Sequence, residues 1–165
     1  MRLAEELEKL IDAFDAAGVN YALCGGLALA VHGHARATED IDLLIREESL
    51  PAAIEASAAV GFIIETGWIR FRVDTPEEQK LYRLVKLMER EHLVLDLLVV
   101  TPIIEQSWES RRDFERDGRR LTALSVDGLI HMKSLSGRTR DLSDIERLQG
   151  ATDETDSRSQ GEQSH

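Results

Sequence analysis

The chain has one cysteine, three prolines and few aromatic residues, 5 % of its 165 positions. A single thiol, Cys24, excludes an internal disulfide framework and any cysteine-based zinc site, and its apolar setting marks it as a small buried residue. No apolar run is long enough to cross a bilayer. The opening Met-Arg-Leu-Ala-Glu-Glu-Leu reads as an amphipathic helix rather than a signal peptide, so a cytoplasmic protein with no membrane partner is expected. Basic charge is also in deficit. Twenty Lys and Arg stand against 31 Asp and Glu, a formal charge of −11, which argues against a general nucleic-acid binder that displaces counterions. Part of the acidity is local: beyond Leu148 the sequence has almost no apolar side chains to offset the entropy of ordering, and a disordered acidic tail over 150–165 is expected. That leaves residues 1–149 as one domain, long enough to bury a core.

What is present concentrates between Cys24 and Ile45. A short apolar run, Val19 to Cys24, ends on the pair Gly25-Gly26, and Asp40-Ile41-Asp42 opens a second apolar run ending at Ile45. Side chains two apart on a strand share a face, so Asp40 and Asp42 stand side by side while Ile41, Leu43 and Ile45 turn to the core. Two carboxylates this close raise each other's pKa, and a hard divalent cation, Mg²⁺ or Mn²⁺, relieves the conflict while keeping phosphate oxygens and water in its shell. The glycines supply the complement: a backbone without Cβ lets a phosphate approach, and the helix that follows offers free N–H groups.

Gly25-Gly26, an interval over positions 27–39 and then Asp40-Ile41-Asp42 resemble the signature of the polymerase-β-like nucleotidyltransferase superfamily. With Arg36-x-Thr38 before the aspartates and a basic, aspartate-containing C-terminal helix, the chain is most similar to the branch of AbiEii-type toxins of toxin–antitoxin systems. The resemblance implies an α+β nucleotidyltransferase fold, a mixed sheet with helices packed on it and a short helical C-terminal part. It also implies a third carboxylate on a neighbouring strand. Asp96, alone in the apolar run Leu93 to Val100, is the candidate, because a buried carboxylate is costly unless paired or metal-bound. An ion pair with Arg83 is the other reading of Asp96.

By the same resemblance Asp40 and Asp42 hold two metal ions, Asp96 holds one of them and serves as general base, and a nucleoside triphosphate donates its NMP to an acceptor hydroxyl. Gly25, Gly26, Arg36, Thr38 and Lys133 would bind the nucleotide, Arg36 through bidentate contact with phosphate and Lys133 by reaching the triphosphate. The acceptor stays open among RNA, protein and small molecules. Members of the toxin branch have a larger helical C-terminal part, so a second copy or an antitoxin partner is expected to complete the acceptor side. Two other functions compete: a non-catalytic module that binds nucleotide or a partner, and an antibiotic nucleotidyltransferase of the aminoglycoside type. An aminoglycoside calls for an acidic cleft, and an RNA acceptor for a local basic surface.

Periodicity predicts helices over 2–17, 27–33, 47–60, 102–108, 126–135 and 139–148, with Gly137 between the last two. Strands are predicted over 20–24, 40–45, 62–65, 68–73, 81–88, 92–100 and 121–124. His32 and His34 either touch the nucleotide or cap a helix end. Arg111, Arg112, Arg116, Arg119 and Arg120, interleaved with acids, read as a solvated loop or helix face rather than a docking patch. Arg138, Arg140, Asp141 and Asp144 read as helix-surface pairs, with Asp144 alternatively bracing the two C-terminal helices.

Overall fold

The computed structural model describes residues 2–136 and 138–161. Helix α1 (Arg2–Ala17) buries Leu7, Leu10, Ile11 and Phe14 along one stripe, the spacing an amphipathic helix requires. The chain turns at Gly18 into β1 (Ala22–Cys24), α2 (Gly25–Val31) and β2 (Asp40–Ile45). A 3₁₀ turn leads into α3 (Leu50–Ala59), whose first turn carries Pro51. There follow β3 (Ile64–Phe71), β4 (Gln79–Met88), β5 (Glu91–Val99), the short α4 (Glu105–Glu109), β6 (Arg112–Arg116), β7 (Arg119–Ala123), α5 (Val126–Ser136) and α6 (Thr139–Gly161).

The seven strands form one mixed sheet in the order β3-β4-β5-β2-β1-β7-β6. β2 runs antiparallel to β1 and parallel to β5, while β3, β4 and β5 form an antiparallel meander. The central strands are buried: Ile41, Leu43, Leu44, Ile45, Leu95 and Leu97 are closed to solvent. α1 packs on α3 and reaches β2, and α5 packs on α4 and α6. A buried ion pair ties α1 to the sheet, with Lys86 of β4 donating to Glu6 at 2.7 Å and to the Val60 carbonyl at 3.0 Å. Among the described residues no helix is long and apolar enough to cross a membrane. This is the expected α+β architecture.

Three expectations need correction. The two short strands predicted over 62–65 and 68–73 are one, because a register shift between Glu65 and Gly67 lets β3 pass the turn-forming Thr66-Gly67 without breaking. The charged stretch from Arg112 to Arg120 is a hairpin rather than a loop or helix face. Asp117 and Gly118, with φ of 51° and 77°, form its two-residue turn, and Arg120 pairs with Asp113 across the strands. The last helix continues past its predicted end at Leu148 to Gly161, into the stretch 150–165. A polar sequence without proline can prolong a helix already nucleated by its buried first turns. Residues 162–165 of that stretch, and the Gly137 break, lie outside the described residues.

Phe14 is fully buried and meets Tyr21 edge-on, ring centroids 6.0 Å apart, while the Tyr21 hydroxyl accepts a hydrogen bond from the Thr122 amide. It therefore joins α1, β1 and β7. Phe14→Ala is expected to lower unfolding stability by about 3–5 kcal/mol, read as a reduced midpoint in urea denaturation with an unchanged slope.

Candidate active site

Strands β2 and β5 run parallel and in register, which sets Asp42 directly opposite Asp96, with Asp40 two residues earlier on the same face of β2. Asp96 is buried and Asp42 half-buried. Burial, then the neighbouring Asp96 and Asp40 charges, push the Asp42 carboxyl up to about 7, against the pull of Lys133 and Arg138. Asp40 is also raised, by burial and then by Asp96, with Arg83 acting the other way.

The glycine pair meets this face from α2. Gly25 has φ of +68°, and a Cβ there would overlap the Asp42 carboxylate. A Cβ on Gly26 would lie 2.7 Å from the Thr38 hydroxyl and 3.1 Å from an Arg36 nitrogen. Thus both glycines are required by the site's own side chains as well as by any phosphate that docks there. Gly25, Gly26, Arg36, Thr38, Asp40, Asp42, Asp96 and Lys133 all line one cleft of about 840 Å³. The structure brings these eight sequence-predicted residues together.

Their contacts differ from the expected roles in two respects. Asp96 receives a bidentate grip from Arg83, Nε at 2.8 Å and Nη2 at 3.0 Å, across the β4–β5 ladder. Arg36 and Lys133 are held together by Asp144: Arg36 donates Nε at 3.0 Å and Nη2 at 3.1 Å, and Lys133 donates at 3.1 Å. Lys133 also lies 3.6 Å from Asp141, which takes further bonds from Ser136 and Arg138. Asp141 and Asp144 are thus buried partners rather than helix-surface pairs. Burial works to raise the Asp144 carboxyl, but the hydrogen bonds of Arg36 and Lys133 bring it below its ordinary value. The bracing reading of Asp144 is the one the contacts follow.

His32 donates to or accepts from no cleft group; its ring bonds the Leu124 carbonyl at 2.8 Å and meets Phe114 edge-on. His32 caps α2, and neither His32 nor His34 lines the cleft. Cys24 is buried, and burial pushes its thiol well up. Sequence reading overlooked Arg70, Phe71 and Arg72, which form the cleft wall at the β3–β4 end. Positive φ at Arg72 and Asp74, 51° and 61°, marks a turn that no Gly or Asn announces.

The donor set suits a hard divalent cation, since Asp40, Asp42 and Asp96 offer oxygens only. Among the described residues, however, no group of three or more His, Cys, Asp or Glu side chains is arranged as a metal-binding cluster. Asp96 is engaged instead by both nitrogens of the Arg83 fork. Asp40 and Asp42, two apart on one face of β2, are the carboxylates that would receive such a cation, and Asp96 would join them by giving up its pairing with Arg83.

The aminoglycoside-2''-adenylyltransferase family model matches residues 6–148. Among solved structures, a crystal structure of ANT(2'')-Ia in complex with adenylyl-2''-tobramycin is similar at 14 % identity, with TM-score 0.59, 92 % of this chain and 90 % of that one covered. A putative nucleotidyltransferase from Thermotoga maritima is similar at 16 % identity, with TM-score 0.58 and coverage of 91 % and 94 %. At these identities the likeness concerns the fold. No functionally curated protein sequence matches the chain.

Two outcomes test this geometry. A Gly25→Ala chain is expected to lose both fold stability and nucleotide binding, because the new methyl would overlap an Asp42 carboxylate oxygen and fall 3.0 Å from its Cβ, on a left-handed backbone; far-ultraviolet dichroism on heating reads the first. The second concerns pH without divalent cations. Folded Asp42 keeps its proton up to about 7, whereas the unfolded chain releases it near 3.8, so between those values the folded state binds more protons and raising pH costs stability. Asp42→Asn is expected to flatten that fall and to be more stable at neutral pH by on the order of 3 kcal/mol, measured by urea unfolding across pH 4–8.

Proposed function

Since the chain belongs to the aminoglycoside-2''-adenylyltransferase family and is thereby a nucleotidyltransferase, we propose that it moves a nucleoside monophosphate from an NTP to the hydroxyl of a small-molecule acceptor with Asp40, Asp42 and Asp96 as its catalytic carboxylates. The observation that carries this is the register of β2 and β5, which places three carboxylates on one face beside a glycine pair and a buried lysine. The family's description supports ATP as donor. Non-catalytic binding would need no such convergence of acids.

A divalent cation, Mg²⁺ or Mn²⁺, bound to Asp40 and Asp42 would neutralise triphosphate charge and polarise the α-phosphate; a second would draw in Asp96. The remaining work falls to this chain's residues. The backbone at Gly25 and Gly26 lets phosphate approach α2, and Lys133 stands at the same wall with its ammonium already oriented by Asp144. Thr38 and Arg36 close the loop over that wall. Asp96 accepts the acceptor's hydroxyl proton as Arg83 withdraws, the oxygen attacks the α-phosphorus in line, and pyrophosphate leaves. Arg36, Thr38, Lys133 and Asp144, which carry the likeness to AbiEii-type toxins, serve here to brace the cleft. That role selects no acceptor, so a toxin function or an antitoxin partner draws no support from it.

Calorimetric titration with the four ribonucleoside triphosphates in Mg²⁺ or Mn²⁺ tests the reading. Metal-dependent ATP binding is expected for the native chain and its loss for Asp40→Ala with Asp42→Ala. Binding that is indifferent to metal and to both aspartates would favour the non-catalytic module.

A further inference from the structure

The sheet has two open edges, and they are built differently. β6 is short and charged except for Phe114, Arg-Asp-Phe-Glu-Arg, a composition that keeps an edge from pairing with another chain. β3, at the opposite edge, is eight residues long, Ile-Glu-Thr-Gly-Trp-Ile-Arg-Phe, with no lysine and no proline. Six of those eight residues are exposed, so both faces of the strand reach solvent as well as its edge. Trp68 and Phe71 leave 45 % and 50 % of their surface open, and exposed Ile63 and Val73 flank the strand. An apolar edge of this kind in a soluble-faced sheet is a surface made to be covered.

The straight part of β3 is bounded at both ends. The register shift between Glu65 and Gly67 bends it at one, where Gly67 has φ of +96°, and Arg72, with φ of 51°, turns the chain away at the other. What lies between matches itself read in the opposite direction. An antiparallel copy centred on Ile69 sets Ile69 against Ile69, Trp68 against Arg70 and Phe71 against Gly67, each pair on one face of the sheet. All three pairs are favourable. The two Ile69 side chains meet across the axis, and the Arg70 guanidinium can stack on the Trp68 ring while its edge keeps Glu78. Phe71 covers Gly67, where a Cβ would meet nothing within 4 Å. Trp68 already takes a cation in this way, with Lys80 4.9 Å from its ring centre. Moving the centre one residue on, to Arg70, would set two guanidiniums face to face.

We propose that β3 is a self-association edge: two copies of the chain pair their β3 strands antiparallel about Ile69, joining two sheets into one across a two-fold axis. That axis is perpendicular to the sheet, so both clefts open on the same face, and Phe71, which lines the cleft wall, is braced by the second copy. The paired segment is short, and a dissociation constant on the order of 10 µM is expected. Sedimentation velocity of the full chain from about 1 to about 200 µM reads it. Ile69→Lys and Ile69→Glu each set two like charges across the axis and are expected to weaken association about tenfold or more. An equimolar mixture of the two is expected to restore the dimer, because Lys then faces Glu. Far-ultraviolet dichroism shows whether each variant keeps the native fold. Independently of any substitution, the β3 amides of the native chain are expected to exchange with deuterium more slowly as concentration rises, while those of β6 do not change. A native chain that stays monomeric throughout, a dimer whose β3 amides gain no protection, or folded Ile69 variants that associate like the native chain or fail to pair when mixed would each overturn the proposal.

Discussion

The structure depends on Asp42 standing opposite Asp96 in the middle of a parallel strand pair. No folded protein gains stability from two acids so placed; burial and mutual repulsion both work against it. Everything around the pair compensates. Asp42 keeps its proton toward neutrality, Arg83 clamps Asp96, and Gly25 withholds a side chain to make room for the Asp42 carboxylate. Such a site sacrifices stability in the empty chain so that a cation can be received without rebuilding the backbone.

A second cluster gives that site its rigid wall. Asp144 on α6 gathers Arg36 from the loop before β2 and Lys133 from α5, three segments distant in sequence, into one buried knot. Its balance is fragile in a useful way. Removing Asp144 would strand two cations, while a triphosphate arriving at Lys133 competes for the same ammonium. On the proposed function the knot would both build the wall and tune how strongly it attracts phosphate, because each lysine proton shared with Asp144 is one not given to the ligand.

The acidic pair and the glycine pair were readable in the sequence because strand and turn chemistry is local: period-two alternation put both aspartates on one face, and only glycine permits φ of +68° without strain. Asp96 was readable as an anomaly, one carboxylate in an apolar run. Its grip by Arg83 was only one of two readings, since the choice depends on the register of β4 against β5, which no local pattern specifies. Asp141 and Asp144 were taken for surface pairs because their i, i+3 spacing looks the same whether a helix face is wet or buried. The hairpin from Arg112 to Arg120 was hidden for another reason. Its first strand carries Phe114 alone among charged residues, so hydrophobic periodicity is silent there, and the Asp117-Gly118 turn was the one signal that could have joined it to the strand predicted from Leu121.

The cleft's charge also separates two properties that composition merges. A net charge of −11 describes the surface seen from afar and governs approach, but specificity is decided where solvent is excluded and potentials are focused. Here the remote field is negative and the cleft carries more basic than acidic side chains. A magnesium–nucleotide complex, which still carries net negative charge, is opposed by the first and attracted by the second. Arg70, Arg72 and Arg83 of the cleft come from the β3–β4 hairpin, which carries none of the three carboxylates and touches them only through the grip of Arg83 on Asp96. Side chains along β3 and β4 can therefore change without displacing the carboxylates that β2 and β5 hold in register.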